Sequence, residues 1–240
     1  LTGLKRAYRF AKDHRAIGLG VLGYHSLFQS KLIEFDSLES KQLNHEIFKT
    51  LNERSNEASK WLHDAKGYES LREGYANTTL LAVAPTKSSS FIHGAVSMGI
   101  EPIKSNYFIK DLAKSKTVYK NPFLECELEK YGLNTPEVWE DILKKDGSVQ
   151  HLDFPTKGVF KSFIEISPKE IILQAAQRQK FIDQSQSLNL MIHPSVPAKD
   201  INQLYLYAWK EGVKTLYYQF SQSSAQAFSR NILECSSCEG

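Results

Sequence analysis

The sequence predicts an α/β protein on three observations. Residues 188–192 and 213–219 are short apolar runs, and between them residues 198–211 read as a helix closed by Gly212. Strand, helix and strand at this spacing make a βαβ unit with parallel pairing, since only a long crossover lets two strands run in the same direction. Residues 78–84, Thr-Thr-Leu-Leu-Ala-Val-Ala, form a continuous apolar run of the kind that makes a buried strand, and Pro85 ends it. Between these lie capped helical segments rather than further alternating runs.

The elements follow in order. Residues 6–15 are basic and open into a glycine-rich stretch at residues 16–23. A long helix is predicted over Leu38–Lys66, where Leu43, Ile47, Leu51, Ala58 and Leu62 fall on one stripe. The middle of the chain reads as helical. Asn121-Pro122 starts a helix that Gly132 stops, and Thr135-Pro136 starts another that Gly147 stops. Each has a polar N-cap, Pro at the first helical position and Gly past the end. Ser167 and Glu170 are spaced as a capping box, opening a helix to about residue 184. From residue 220 the chain becomes rich in Ser and Gln and ends in Cys235-Ser-Ser-Cys238, so residues 220–240 are expected to form a mobile tail on a body of residues 1–219.

Composition bounds the function. With 41% hydrophobic and 24% charged residues, 240 residues can bury a core, which excludes a disordered chain, a collagen or a disulfide-stapled miniprotein. A net charge of +3 and an isoelectric point near 8.6 are too mild to argue for direct nucleic-acid binding or a polybasic membrane anchor. The mean hydropathy is -0.38 and no apolar run approaches the roughly 18–20 residues of a membrane helix. Three cysteines make no disulfide framework and no secretory signal opens the chain, so a cytoplasmic location is expected. The sequence begins at Leu1 rather than Met, which suggests a piece of something longer.

Four motifs bear on chemistry. Gly18-x-Gly20-x-x-Gly23 matches a dinucleotide fingerprint by letter, but the segment before it is charged and not a buried strand, so it reads as a close-packed glycine turn. Thr86, Lys87, Ser88, Ser89 and Ser90 follow a buried strand and lead into a helix start. Hydroxyls and unsatisfied backbone N–H groups there suit phosphate, and ordinary serine capping is the other reading. Tyr217 and Tyr218 lie at the end of the last strand. Regular alternation would bury one and expose the other, while a redox role would need an acceptor for the phenol proton. Cys235 and Cys238 lack the partners of a zinc site and the helix start of a thioredoxin-like site. They remain a tethered dithiol, able to pass two electrons by thiol–disulfide exchange, or two incidental thiols. The 16 residues 219–234 would span about 20–24 Å as a flexible chain. No metal site is expected.

Together these segments resemble the C-terminal part of the large, catalytic chain of class I ribonucleotide reductase. The resemblance rests on Asn77-Thr-Thr-Leu80, Pro85-Thr-Lys-Ser-Ser89, Gly99-Ile-Glu-Pro102, Lys180-Phe-Ile-Asp-Gln-Ser185, Gly212-Val-Lys-Thr-Leu-Tyr-Tyr218 and the terminal Cys-x-x-Cys, in that order. It implies that residues 1–219 are part of a ten-stranded α/β barrel. It implies that Thr86, Lys87, Ser88 and Ser89 hold the diphosphate of a ribonucleoside diphosphate, with Lys87 where some relatives carry an acidic residue. Tyr217 and Tyr218 would be a stacked pair relaying a radical from the small subunit, whose metal site supplies it; no cofactor is expected in this chain. Cys235 and Cys238 would re-reduce an active-site disulfide and be reduced in turn by thioredoxin or glutaredoxin. The only other cysteine, Cys126, matches neither the family's radical cysteine nor its active-site pair. The chain is therefore expected to need an N-terminal part of the large subunit, as a fragment or one half of a split enzyme. The competing expectation is a non-catalytic assembly module that kept the fold.

Overall fold

A computed structural model of the chain describes residues 3–112 and 115–221. Its elements are α1 (Lys5–His14), α2 (Tyr24–Ser30), α3 (Leu38–Lys66), α4 (Ser89–Ile92), β1 (Tyr107–Leu112), β2 (Ser115–Lys120), α5 (Pro122–Lys130), α6 (Pro136–Lys144), α7 (Pro168–Gln179), β3 (Leu190–Met191), α8 (Ala198–Lys210) and β4 (Gln219–Phe220). β3 and β4 pair in parallel across α8, as the βαβ reading requires. The paired ladder is shorter than the apolar runs because only Leu190 and Met191 face Gln219 and Phe220 in register.

The parallel arrangement extends beyond the named strands. Leu19 pairs in parallel with Leu81, and Val83 with Gln186. The Leu19 amide donates to Leu80 at 2.7 Å, the Ser187 amide to Val83 at 2.9 Å and the Tyr217 amide to Leu188 at 2.8 Å. Four segments, near residues 17–19, 79–83, 185–192 and 217–220, thus lie side by side in chain order. Parallel neighbours need long crossovers; α3, the stretch containing α4 to α7, and α8 supply them. Leu80, Leu81 and Val83 are buried, as the apolar run predicts. The Asp183 carboxylate fixes that segment by accepting the Leu80 and Leu81 amides at 2.6 and 2.9 Å.

Helix α3 has the predicted bounds, and Leu43, Ile47 and Leu51 of the predicted stripe pack, partly buried, against the core, but the deepest positions are mostly polar. Ala58 is exposed, and the fully buried positions are Ser40, Asn44, Phe48, Ser55 and Ser59. Across the interface α7 presents amides and a guanidinium beside its buried Ile171, Ile172, Ala175 and Ala176. Asn44 Nδ2 donates to the Gln174 carbonyl and to Gln177 Oε1, at 3.0 and 2.6 Å. Arg178, wholly buried, donates to Gln186 Oε1 at 2.6 Å and Asn44 Oδ1 at 3.2 Å. It also lies 5.5 Å from the Tyr24 ring centroid and 5.7 Å from that of Phe48. Burial pushes its pKa down to about 10 and pushes the Tyr24 phenol upward.

Helix α7 starts where expected, but the capping box does not form there: Ser167 makes no side-chain cap, and Glu170 pairs with Lys41 at 2.7 Å. A capping box forms instead at Ser162 and Glu165. The helix stops at Gln179, short of residue 184, because Asp183 and the Gln184 amide are used on the neighbouring segment. The wholly helical middle is a second correction. β1 and β2 make an antiparallel hairpin there, ahead of α5 and α6. These two helices are capped by Asn121 and Thr135 as predicted. They enclose a second apolar cluster around Leu124, Leu128, Trp139, Ile142 and Phe160. Asn121 joins the clusters, donating to Gln29 Oε1 and Asn106 Oδ1 at 3.0 and 2.8 Å.

The glycine motif is a close-packing device. A Cβ on Gly20 would lie 2.2 Å from the Ala82 carbonyl oxygen, whereas one on Gly18 would sit 3.1 Å from the Ala82 Cβ. Gly20→Ala is expected to cost about 1–3 kcal/mol in urea unfolding, and Gly18→Ala less. Equal losses would mean that backbone contact does not set the requirement at Gly20.

His25 is fully buried, and its Nδ1 accepts the Ile103 amide at 3.0 Å. Burial lowers its pKa from 6.5 to about 3. Below pH 6.5 the unfolded chain takes a proton that the folded chain refuses, so stability falls as pH falls through that window. Between pH 7.5 and 5.0, wild type should lose about 2 kcal/mol more than His25→Gln. Parallel pH profiles would exclude a buried neutral imidazole.

Candidate functional site

The two registers bring distant residues to one height. Val83 faces Gln186 and Leu190 faces Gln219. Counting along, Thr86, Asn189 and Tyr218 come level, with the turn after Pro85 and the tyrosine pair two strand spacings apart, roughly 10 Å.

In the turn, Thr86 adopts a left-handed φ of 46°, and its Oγ1 accepts the Gly99 amide at 2.7 Å. Its carbonyl accepts the Ser90 amide at 2.9 Å, closing the single turn of α4. Ser90 is buried; Lys87, Ser88 and Ser89 are exposed. Among the described residues neither the Ser88 nor the Ser89 hydroxyl has a hydrogen-bond partner, and the amides of Lys87, Ser88 and Ser89 meet no backbone acceptor. Neither serine therefore serves as a capping side chain. One helical turn has little macrodipole, so what the turn offers an anion is hydroxyls, free amides and one ammonium group.

Tyr217 and Tyr218 depart from strand alternation. Both are about half exposed, at 49% and 50%, and their ring centroids are 4.1 Å apart at an interplanar angle of 50°. The rings form a close pair, as the resemblance implies, though tilted rather than stacked, and regular alternation does not hold here. The backbone explains it: the Tyr218 amide donates to the Asn189 side chain at 2.8 Å, while the Tyr218 carbonyl accepts from Leu190 at 3.0 Å. A side-chain hydrogen bond with Tyr218, which favours the protonated phenol, pushes the Tyr217 pKa upward.

The turn and the pair meet through Lys87, whose Nζ lies 5.4 Å from the Tyr218 ring centroid. Beneath them Asn189 Nδ2 donates to the buried carboxylate of Glu101. Burial raises the Glu101 pKa, opposed by that hydrogen bond and by Lys104 and Lys87. The Lys104 ammonium sits 3.5 Å from the Phe220 ring centroid, and partial burial lowers its pKa. Asn189 and Lys104 are absent from the sequence-based site; nothing in their local pattern separates them from ordinary polar residues. Glu101 lies in the Gly99-Ile-Glu-Pro102 segment, without an assigned role. Phe220, expected in the tail, belongs to β4, whereas residues 222–240, with Cys235 and Cys238, lie outside the described residues. Among the described residues no three His, Cys, Asp or Glu side chains converge as a metal site, and no helix is long and apolar enough to cross a membrane.

Comparison with known proteins decides the family. The model described as "Ribonucleotide reductase, barrel domain" matches residues 3–71 and 68–219. The chain belongs to the ribonucleotide reductase barrel family. The ribonucleoside-diphosphate reductase large subunit of Invertebrate iridescent virus 6 is 40% identical over 234 residues, covering 93% of this chain and 24% of the relative. That of Invertebrate iridescent virus 3 is 35% identical, covering 99% of this chain and 40% of the relative. The solved Actinobacillus ureae class Id ribonucleotide reductase alpha subunit superposes with a TM-score of 0.83 at 52% identity, over 94% of this chain and 42% of that one. The chain thus spans well under half the length of these reductase relatives.

Asn189 holds two groups at once, the Tyr218 amide and the Glu101 carboxylate. Asn189→Ala should cost about 1–3 kcal/mol in chemical unfolding. Asn189→Asp, which sets a second carboxylate against Glu101, should cost more at pH 8 than at pH 5. If Asp and Ala variants showed the same pH dependence, Glu101 would not face this side chain.

Proposed function

We propose that this chain is the C-terminal part of a ribonucleoside-diphosphate reductase large subunit, and works only with the rest of that subunit. The reaction replaces the ribose 2′-hydroxyl, lost as water, with hydrogen while a dithiol is oxidised to a disulfide. The thiols' two electrons and two protons end in the new C–H bond and the water. The observation that carries this reading is the meeting of an anion-ready turn and a close tyrosine pair at one end of the parallel array.

Each part has a task. Thr86 shapes the turn through its Gly99 bond. The hydroxyls of Ser88 and Ser89, the adjoining amides and the Lys87 ammonium bind the substrate diphosphate. Tyr218 and Tyr217 pass an oxidising equivalent, each phenol losing an electron and a proton and then regaining both. A partner small subunit with a metal site supplies that equivalent. Cys235 and Cys238 return electrons to the active-site disulfide and are reduced by thioredoxin or glutaredoxin. Such thiol chemistry requires a reducing compartment, which supports a cytoplasmic location.

The test is reconstitution with the remainder of the large subunit and the small subunit, measuring deoxynucleotide formation. Tyr218→Phe keeps the ring and removes the O–H; it should abolish kcat while substrate binding survives. Ser88→Ala with Ser89→Ala should weaken substrate binding by about 0.5–3 kcal/mol per lost hydrogen bond to a charged group. Near-normal turnover in Tyr218→Phe would contradict the relay, and no turnover with the wild-type chain would favour a non-catalytic assembly module.

A further inference from the structure

Lys87 is the one side chain that belongs to both halves of the site. It sits in the turn between Thr86 and Ser88, yet its ammonium is directed to the face of Tyr218, 5.4 Å from the ring centroid. The lysine is exposed and its stem flexible, so the position is a balance of attractions rather than a packed constraint. Two attractions act in this structure, from the Tyr218 ring and from the buried Glu101 carboxylate. A cation–π contact at an exposed site is weak. A phosphate anion in the turn is a far stronger partner for an ammonium group.

We propose that Lys87 is a shared cation for which the Tyr218 ring and a diphosphate bound in the Thr86–Ser89 turn compete, so that filling the turn draws the charge away from the tyrosine. This rests on the turn being the phosphate site. The consequence is a positioning role: the electrostatic surroundings of Tyr218 report whether the turn is occupied. No bond is made or broken in the exchange. Because coupling is reciprocal, removing the ring must also alter anion affinity.

Inorganic pyrophosphate is the probe, added to the full chain carrying a fluorotyrosine at position 218 and followed by fluorine and phosphorus NMR. Binding should shift the position-218 resonance toward its value in unliganded Lys87→Gln. Lys87→Arg should keep the response, and Lys87→Gln should lose it while still binding pyrophosphate more weakly. Tyr218→Leu, which removes the aromatic face, should tighten pyrophosphate about two- to fivefold, whereas Tyr218→Phe should leave affinity unchanged. Pyrophosphate that binds without moving the resonance, or moves it equally in Lys87→Gln, overturns the competition and spares the phosphate turn. Absence of binding to wild type overturns both.

Discussion

Parallel pairing imposes a constraint that hairpins do not: neighbouring strands cannot be neighbours in sequence, so each pairing has to span a long crossover. Leu19 with Leu81, Val83 with Gln186, and Leu190 with Gln219 are three such pairings in chain order. They set the height of every residue in the candidate site. A turn that begins two residues beyond Val83 and a tyrosine pair that precedes Gln219 come level because the registers are staggered by four residues along the shared middle segment. A shift of one residue in either register would turn the tyrosines or the turn away from Asn189.

Holding those registers falls to polar groups as much as to apolar packing. Asp183 clamps the second segment by its amides, Gln186 on the third segment receives the Arg178 guanidinium, and Asn189 receives the amide of the fourth. Arg178 is the most demanding of these. Its described acceptors are amide oxygens, and aromatic faces lie against it, so the neutral groups around it must stay in place for the charge to remain buried. The same network explains why the inner face of α3 carries Asn44: removing it would leave buried groups on α7 unsatisfied.

The parts of the fold legible in the sequence are those governed by local rules. Pro and Gly punctuation placed α5 and α6, the apolar run at residues 78–84 marked a buried segment, and the glycines at 18 and 20 marked close backbone approach. The parts that were not legible depend on partners far away in sequence. Ser167 and Glu170 have the spacing of a capping box, but Glu170 is drawn to Lys41 on another helix. The apolar letters of α3 found residues that pack on the core, Leu43, Ile47 and Leu51, but not buried Asn44, whose partners lie on α7. Alternation predicted opposite faces for Tyr217 and Tyr218, and a side-chain acceptor on Asn189 broke it. In the candidate site, residue types named the turn and the tyrosines, but only the registers reveal that Lys87 and Tyr218 touch.

That contact is where the account of one joined site stands or falls. The most direct measurement is a nuclear Overhauser experiment on the unliganded chain, with Lys87 and Tyr218 assigned. A joined site gives cross-peaks between the Lys87 ε-methylene and the Tyr218 ring protons, with the methylene shifted upfield by the ring. A Lys87 methylene at its free-lysine shift, without cross-peaks to Tyr218, would mean that turn and tyrosine pair are separate features of the same surface.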